Sequence, residues 1–335
     1  VYKRQIDACV EPAWHCDASA GATHRLQALA GLPCTLRSMH VFDLPPAPLQ
    51  FLDLPWLRQA QVQAATLRLD LIDPLISGNK WFKLRHHLQQ AGASHAPGLI
   101  SLGGNHSNHL HALAAAGKRF GFATVGLLRG HAQDTPTVRD LQALGMELHW
   151  LGYGGYRARN EPGFWVSWQA RYPGWHCIPE GGGGLAGAQG CALIMQQARA
   201  QISALGWSDY DAWWLAAGTG TTLAGLVMAE AGAHAVHGAL AVPRDHGVPE
   251  TVAALAGTHG YQLHDACRGG FGKFDDALLT FIADCEQHTD VPLEALYTGK
   301  ALLALRDQVA AGLFKPGSRL IFVHTGGLQG RRGYL

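Results

Sequence analysis

A lysine at the start of a predicted helix is the first group in this sequence that could do covalent chemistry. Lys80 follows the polar turn Ser77-Gly78, and Asn79 is predicted as the N-cap of the helix. The positive end of a helix dipole disfavours a cation in the first turn, so the pKa of Lys80 is expected to be lowered. A neutral amine is what Schiff-base formation requires. A solvated lysine beside a turn would give the same local pattern.

A second segment could bind an anion. An apolar stretch ends in Gly103-Gly104, and a predicted helix then opens with polar side chains. Free backbone N–H groups at such a helix start favour a carboxylate, and the glycines let a ligand approach the backbone. The candidate substrate-binding residues here are Asn105, Ser107 and His109, with Asn108 beside them.

Two other interpretations of this segment remain open. Ser107 could be an ordinary N-cap followed by surface histidines. Alternatively, three histidines could bind a metal, but their spacing differs from H-E-x-x-H and no carboxylate lies nearby in sequence. We therefore predict no metal site. The histidines concerned are His106, His109 and His111.

A Gly/Thr-rich turn follows the apolar run 213–216 and precedes another predicted helix. Consecutive N–H groups and several hydroxyls at such a turn can surround a phosphate. The turn is not a Walker A loop, because no lysine follows, and it lacks the third glycine of a dinucleotide fingerprint. The predicted phosphate ligands are Gly218, Thr219, Gly220, Thr221 and Thr222.

Two short motifs near the end complete the set. Tyr297-Thr298 opens one predicted helix, and Thr325 follows the last predicted strand. The carboxyl ends of parallel strands share one edge of a sheet, so these residues are expected near the phosphate loop. A lysine, a carboxylate site, a phosphate site and hydroxyl donors together meet the requirements of pyridoxal-phosphate (PLP) chemistry.

The elements that must position these residues follow a βαβ rhythm from about residue 62, which predicts an α/β fold with open, twisted parallel sheets flanked by helices. Predicted strands are 65–69, 98–102, 123–128, 147–151, 212–216, 238–242 and 319–323, and predicted helices are 79–91, 107–119, 136–144, 185–204, 220–231, 275–286 and 299–311. We predict a large domain (39–84 and 180–335), a small domain (85–179) and a poorly ordered N-terminal extension (1–38).

Composition excludes several classes of function. The 335 residues carry a net charge of +1, and only 15% are charged, so no field attracts nucleic acid or an anionic membrane surface. No apolar run is long enough to span a membrane. Seven scattered cysteines form neither a disulfide framework nor a zinc pattern, which predicts a reducing, cytoplasmic compartment.

These motifs, in this order, resemble those of the 1-aminocyclopropane-1-carboxylate deaminase and D-cysteine desulfhydrase family, which has the tryptophan-synthase-β-like PLP fold. The resemblance covers residues 40–333. It implies that Lys80 forms the Schiff base with PLP, that Ser107 contacts the substrate carboxylate and that Asn108 contacts the ring hydroxyl of the cofactor. It also implies a phosphate site at 218–222, an active-site tyrosine at Tyr297 and a homodimer.

The last two motifs favour one branch of the family. Deaminases resemble Y-E-G-K and H-L-G-G, desulfhydrases resemble Y-T-G-K and H-T-G-G, and this chain has Thr298 and Thr325. A hydroxyl near the ring nitrogen gives a weaker electron sink than a carboxylate, and cyclopropane opening should need the stronger one. The sequence therefore favours β-elimination from D-cysteine, giving pyruvate, ammonia and sulfide, over ring-opening deamination.

Two departures from the family pattern bear on the substrate. Phe271 stands where a second tyrosine is usual, and Gly183-Gly184 replaces a Ser-Asn pair. Both changes remove polar contacts with the substrate, for which Phe271 is a candidate binding residue. A small amino acid other than D-cysteine or 1-aminocyclopropane-1-carboxylate is therefore an open alternative as the substrate. A third alternative is a protein that binds PLP or an amino acid without turnover.

Overall fold

The computed structural model describes residues 46–333. The predicted N-terminal extension at 1–38 lies outside the described residues. Within them, two sheets carry the chain, and helices cover their faces. Among residues 46–333 no helix combines the length and the apolar character needed to cross a membrane.

The larger sheet has six strands in the order β1-β2-β10-β7-β8-β9. β1 pairs antiparallel with β2, and every other pairing in this sheet is parallel. The strands are β1 (Leu49–Phe51), β2 (Gln63–Arg68), β7 (Ala212–Ala217), β8 (Ala235–Leu240), β9 (Tyr261–Asp265) and β10 (Arg319–His324).

The smaller sheet has four parallel strands in the order β5-β4-β3-β6. These strands are β3 (Gly98–Gly103), β4 (Ala123–Leu128), β5 (Glu147–Trp150) and β6 (His176–Cys177). After β6 the chain passes through residues 180–184 and returns to the larger sheet at β7. The division of the chain into a large and a small domain remains a prediction.

Helices connect the strands as parallel sheets require. They are α1 (Pro55–Gln59), α2 (Asn79–Ala93), α3 (Asn108–Phe120), α4 (Pro136–Ala143), α5 (Gly152–Arg157), α6 (Phe164–Arg171), α7 (Gly184–Arg199), α8 (Thr221–Glu230), α9 (Val248–Ala256), α10 (Asp276–His288) and α11 (Thr298–Ala310).

Successive side chains of the central strands point to opposite faces of the larger sheet, and its core therefore has two layers. Trp213 and Trp214 on β7 are both fully buried, but they pack into different hydrophobic clusters on the two faces of the sheet. Successive side chains of a strand point to opposite faces, so two adjacent tryptophans serve two layers. A strand buried on both faces reads as an unbroken apolar run, which is why β7 is visible in the sequence.

The predicted α/β fold with parallel sheets is confirmed, and most predicted elements match within a few residues. The predicted strand 238–242 is displaced, since β8 begins at Ala235. Asn79 is not the N-cap of α2: Gly78 takes that position with φ +67°, a conformation that favours glycine, and Asn79 is the first helical residue. The sequence patterns missed β1, β6, β9, α1, α5, α6 and α9.

Candidate active site

A cavity of about 440 Å³ opens where strands of both sheets end. Gly103 at the end of β3, Ala217 at the end of β7 and Thr325 just after β10 all line it. This is the edge at which open α/β sheets bind ligands. The predicted site residues that line the cavity are Lys80, Asn105, Ser107, Asn108, His109, Gly218, Thr219, Gly220, Thr222, Phe271, Tyr297 and Thr325.

Lys80 projects into this cavity from the first turn of α2. Its Nζ donates to Asn79 Oδ1 at 2.9 Å, and Asn79 Nδ2 donates to Thr222 Oγ1 at 2.8 Å. Burial, reinforced by the charge of Lys83, holds the pKa of Lys80 well below its usual range. The amine is therefore suited to react as a neutral nucleophile or base.

The start of α2 is fixed by contact with the end of β10. The Asn79 N–H donates to Thr325 O at 3.1 Å. A Cβ added at Gly78 would overlap that carbonyl and lie 2.8 Å from Gly326 Cα, so only glycine fits this approach. The backbone contact places Lys80 beside the Thr325 wall of the cavity.

The start of α3 has the predicted anion-binding form. Ser107 is the N-cap, and its Oγ accepts from Leu110 N at 3.1 Å. The cap uses a lone pair of the oxygen, so the hydroxyl hydrogen stays free to donate to a ligand. The backbone N–H groups of Asn108 and His109 have no partner in residues 46–333. Three donors thus face the cavity at one helix start.

His109 is buried, unlike the surface histidine of the competing interpretation. Ser101 Oγ donates to Ile178 O at 2.9 Å, so His109 Nε2 is the donor in its 2.8 Å bond to Ser101. Nδ1 then carries no proton and has no partner in the described residues. Burial holds the pKa of His109 well below its usual value. The imidazole therefore offers no free donor, and the free donor of His109 is its backbone N–H.

The three histidines do not converge. His111 Nε2 lies 3.3 Å from Asp140 Oδ2, while His109 bonds Ser101 and His106 is exposed. Among residues 46–333 no group of three or more His, Cys, Asp or Glu side chains could hold a metal ion.

The Gly/Thr turn before α8 offers a phosphate site. The N-cap of α8 is Gly220, so no side chain caps the helix. The backbone N–H groups of residues 219–222 have no partner in the described part of the chain. Lys83 Nζ donates to Thr219 Oγ1 at 3.3 Å and brings a positive charge to the turn. Thr221 is fully buried outside the cavity lining, with its Oγ1 3.2 Å from Thr219 Oγ1.

Tyr297 and Thr298 are placed differently. Tyr297 lines the cavity, with its ring against Gly218, and burial raises the pKa of its phenol. Thr298 is fully buried outside the lining, and its Oγ1 donates to Glu294 Oε1 at 3.1 Å. Glu294 accepts the N–H groups of 296–298 and so caps α11. A direct contact of Thr298 with a cofactor remains a prediction.

Phe271 lies at the rim of the cavity on the loop between β9 and α10. It is 49% exposed, and its ring centroid lies 6.0 Å from that of Tyr297. The buried Lys300 supports the loop by donating to Cys267 O at 2.9 Å and Gly270 O at 3.3 Å. Phe271 thus faces entering ligands with an apolar ring where a phenol was expected.

Sequence reasoning missed Lys83 and Arg129, which line the cavity, and Glu294, which lies outside the lining and supports Tyr297. Lys83 lies one turn after Lys80, which is a signal that both amines face one side of α2. Glu294 precedes the start of α11 by four residues and could have been read as a capping carboxylate. Arg129 follows an apolar strand directly, at the edge where ligands bind.

The donors present fit PLP. Unpartnered N–H groups and Lys83 suit its phosphate, and a low-pKa amine in the same cavity suits its aldehyde. Asn108 Nδ2 and Thr325 Oγ1 provide further polar contacts for a ring. The fold and the site thus define an α/β enzyme that binds an organic phosphate beside a reactive lysine.

Comparison with known proteins agrees with this class. Residues 44–326 match the model of the pyridoxal-phosphate dependent enzyme family, and the chain belongs to that family. A protein of Pyrococcus furiosus with a provisional name as a 1-aminocyclopropane-1-carboxylate deaminase is 27% identical over 285 residues, covering 80% of this chain and 85% of the relative.

Two further relatives point the same way. The mitochondrial bifunctional D-cysteine desulfhydrase/1-aminocyclopropane-1-carboxylate deaminase of Arabidopsis thaliana is 25% identical, covering 87% of this chain and 79% of its own. The crystal structure of an ACC deaminase homologue superposes with a TM-score of 0.72 at 24% identity, covering 89% and 96% of the two chains. The predicted cofactor, PLP, and the predicted PLP-enzyme fold are confirmed.

Proposed function

We propose that this protein catalyses β-elimination from a small amino acid such as D-cysteine and releases pyruvate, ammonia and sulfide. Thr325 carries the preference for elimination. It lines the cavity, and its hydroxyl has no partner in the described residues. Glu180 is the one carboxylate among the described cavity-lining residues, and its oxygens are bound by Tyr156 and Arg159.

The lack of an unpaired carboxylate among the described residues that line the cavity matters for the choice between the two reactions. When bound, PLP withdraws electrons from the bond between Cα and its proton, and a protonated ring does so most strongly. A threonine hydroxyl supports a neutral ring, whereas a carboxylate would keep it protonated. Elimination of a thiolate, a good leaving group, is compatible with the weaker sink, and opening a cyclopropane is less so.

The side chains have distinct roles in this proposal. The Lys80 amine, neutral because its pKa is lowered, accepts the α-proton of the substrate. Ser107 and the N–H groups at the start of α3 bind the substrate carboxylate. The phenol of Tyr297 stays protonated because its pKa is raised, and it can donate a proton to the departing sulfur. The released enamine then hydrolyses in water to pyruvate and ammonia.

Keto-acid release from D-cysteine, L-cysteine and 1-aminocyclopropane-1-carboxylate tests the proposal. We expect pyruvate and sulfide from D-cysteine in a 1:1 ratio and little 2-oxobutyrate from the cyclopropane. Activity on the cyclopropane alone would support ring-opening deamination, the alternative that the names of the relatives favour. A Thr325→Leu variant should lose activity on D-cysteine, while the exposed-site variant Lys315→Leu should not.

Phe271 motivates the third alternative, a binder without turnover. Its ring replaces a phenol at the rim of the cavity. Bound PLP without keto-acid release from any member of a panel of small D- and L-amino acids would support that alternative and overturn the proposed elimination.

We further propose a homodimer in a reducing, cytoplasmic compartment. Support for the compartment comes from the cysteines of the described range, which are all free: Cys177, Cys191, Cys267 and Cys285. The homodimer rests on the family resemblance, and light scattering of the purified protein tests it. A monomer at micromolar concentration would contradict it.

A further inference from the structure

Arg129 is a charged residue of the cavity that the proposed elimination does not use. It follows β4 directly, and its N–H donates to Gly103 O at 3.0 Å, which ties it to the end of β3. Its side chain lines the cavity together with Tyr153, Gln133 and Asn105. These residues belong to the smaller sheet and its connections, the same side of the cavity as the carboxylate-binding start of α3.

The guanidinium group of Arg129 has no carboxylate partner among residues 46–333. Its carbon lies 5.4 Å from the ring centroid of Tyr153, which covers one face of the group. A guanidinium stacked in this way keeps its edge N–H groups free, and they can bind a carboxylate, sulfonate or phosphate in a bidentate manner.

The one carboxylate among the described residues that line the cavity is already neutralised. Glu180 accepts from Arg159 Nε at 2.6 Å and from the Tyr156 hydroxyl. Arg129 is therefore an exposed cation at the edge of the cavity and is not one half of a structural ion pair.

Arg129 still lacks an anionic partner once the other anion-binding groups of the cavity have been assigned. The other basic side chains of Lys or Arg type that line the cavity are Lys80 and Lys83. Lys83 reaches the phosphate turn, Lys80 is the reactive amine, and the start of α3 takes the α-carboxylate. With the phosphate and the α-carboxylate of the proposed function placed, nothing anionic remains for Arg129.

We propose that Arg129 binds a second negative charge on the substrate, so that this site prefers β-substituted alanines whose leaving group is anionic: a sulfonate, ester sulfate or ester phosphate on Cβ, or a thiolate or alkoxide leaving group that carries a carboxylate. This inference rests on the proposed elimination and ranks its substrates, with an anionic β-substituent preferred over a neutral one such as the thiol of D-cysteine. The reaction balances as an elimination. The α-proton goes to Lys80, the bond from Cβ to the leaving group breaks with its electron pair on the departing anion, and the released enamine takes up water to give pyruvate and ammonia.

The test uses the holoenzyme and pairs of compounds that differ in charge. Serine O-sulfate and β-chloroalanine both undergo β-elimination, but only the first carries a second anion before the bond breaks. In Arg129→Gln we expect kcat/KM for serine O-sulfate to fall roughly 10- to 100-fold, as loss of a charged hydrogen-bonded pair implies. The value for β-chloroalanine should stay within about twofold, because no partner for the guanidinium is lost.

A binding measurement separates this inference from the proposed function. Aspartate and asparagine have nearly the same shape and differ in charge, and calorimetry gives their Kd without turnover. We expect aspartate, in its preferred enantiomer, to bind the wild type more tightly than asparagine, and Arg129→Gln to remove that difference. If no compound releases a keto acid, the elimination fails while this comparison still decides the role of Arg129.

Arg171→Gln is the matched control. Arg171 also stacks on a tyrosine, with its guanidinium carbon 5.7 Å from the ring centroid of Tyr172, but it lies outside the cavity. Its replacement should leave kcat/KM for serine O-sulfate and β-chloroalanine unchanged, and likewise the Kd for aspartate and asparagine. Equal losses for charged and neutral ligands in Arg129→Gln would overturn the inference, as would failure of the wild type to bind aspartate better than asparagine.

Discussion

Asn79 Nδ2 donates a 2.8 Å hydrogen bond to Thr222 Oγ1, which joins the helix of the reactive lysine to the helix of the phosphate turn. The other end of the same amide, Oδ1, accepts from Lys80 Nζ at 2.9 Å. One side chain thus sets the position of the amine relative to the phosphate site.

Replacing Asn79 tests this bridge. Asn79→Ala removes two hydrogen bonds of about 1 kcal/mol each, so kcat/KM should fall by at least about tenfold. Asn79→Asp keeps the acceptor and adds a negative charge, which raises the pKa of Lys80. In a plot of kcat/KM against pH, the acid limb of Asn79→Asp should then lie at higher pH than that of the wild type. Thr222→Ser, which keeps the hydroxyl, should behave like the wild type, and an unshifted limb in Asn79→Asp would contradict the bridge.

Close contact at Gly78 predicts a large cost for any side chain. Gly78→Ala combines strain at φ +67° with overlap of the Thr325 carbonyl. Gly145 has φ +85° and open space around it, so Gly145→Ala isolates the strain, about 1 kcal/mol. We expect Gly78→Ala to lose clearly more unfolding free energy in urea and to bind PLP more weakly. Equal losses for the two variants would mean that the contact with Thr325 carries no energy.

Glu294 is expected to hold Tyr297 in place through the start of α11. Glu294→Ala leaves several N–H groups without an acceptor and should cost roughly 1–3 kcal/mol of unfolding free energy. Glu294→Gln retains an oxygen and should cost less. Asp275→Ala, at the exposed N-cap of α10, removes an ordinary cap together with a surface ion pair to Arg268, about 1–2 kcal/mol in all. If Glu294→Ala costs no more than Asp275→Ala, the carboxylate is a simple cap.

Stability should fall in mild acid because of a buried histidine far from the cavity. His237 Nδ1 lies 3.0 Å from His264 Nε2, and both rings stack on Trp214. Burial lowers the pKa of His237 to about 4. In the unfolded chain it titrates near 6.5, so the unfolded state binds the extra proton between pH 6.5 and 4.

The stability that His237 contributes is therefore complete above pH 6.5 and lost as the pH falls toward 4, by up to about 3 kcal/mol. Thermal melts of the wild type and His237→Gln across this window test the sign. The variant should show a flatter decline, while a variant of the exposed His259 should follow the wild type. If the melting temperatures of the wild type and His237→Gln fall equally between pH 6.5 and 4, the lowered pKa of His237 is contradicted.

Local signals explain what the sequence could predict. Lys80, Ser107 and the turn at 218–222 lie where a buried strand or a glycine turn meets a helix, a pattern contained within about ten residues. The short strands β1 and β6 carry too few residues for a period to emerge. Most of the candidate site was therefore visible as strand–turn–helix junctions.

Long-range contacts explain the rest. Asn79 is not an N-cap because the approach of Thr325 from the other end of the chain requires glycine at the cap. Thr298 lies outside the cavity lining because the carboxylate of Glu294 binds its hydroxyl. The unpaired charge of Arg129 emerges only once Glu180 is seen to bind Arg159. None of these relationships leaves a pattern in adjacent residues.

Among residues 46–333, Lys83 is the rival of Lys80 for attachment of the cofactor, since it lines the same cavity and burial lowers its pKa too. Reduction of the holoenzyme with borohydride fixes the cofactor to its lysine, and mass spectrometry of the peptides identifies that residue. The account predicts the label on Lys80 and its loss, together with the yellow absorbance and turnover, in Lys80→Ala. A label on Lys83, or retained activity in Lys80→Ala, would contradict it.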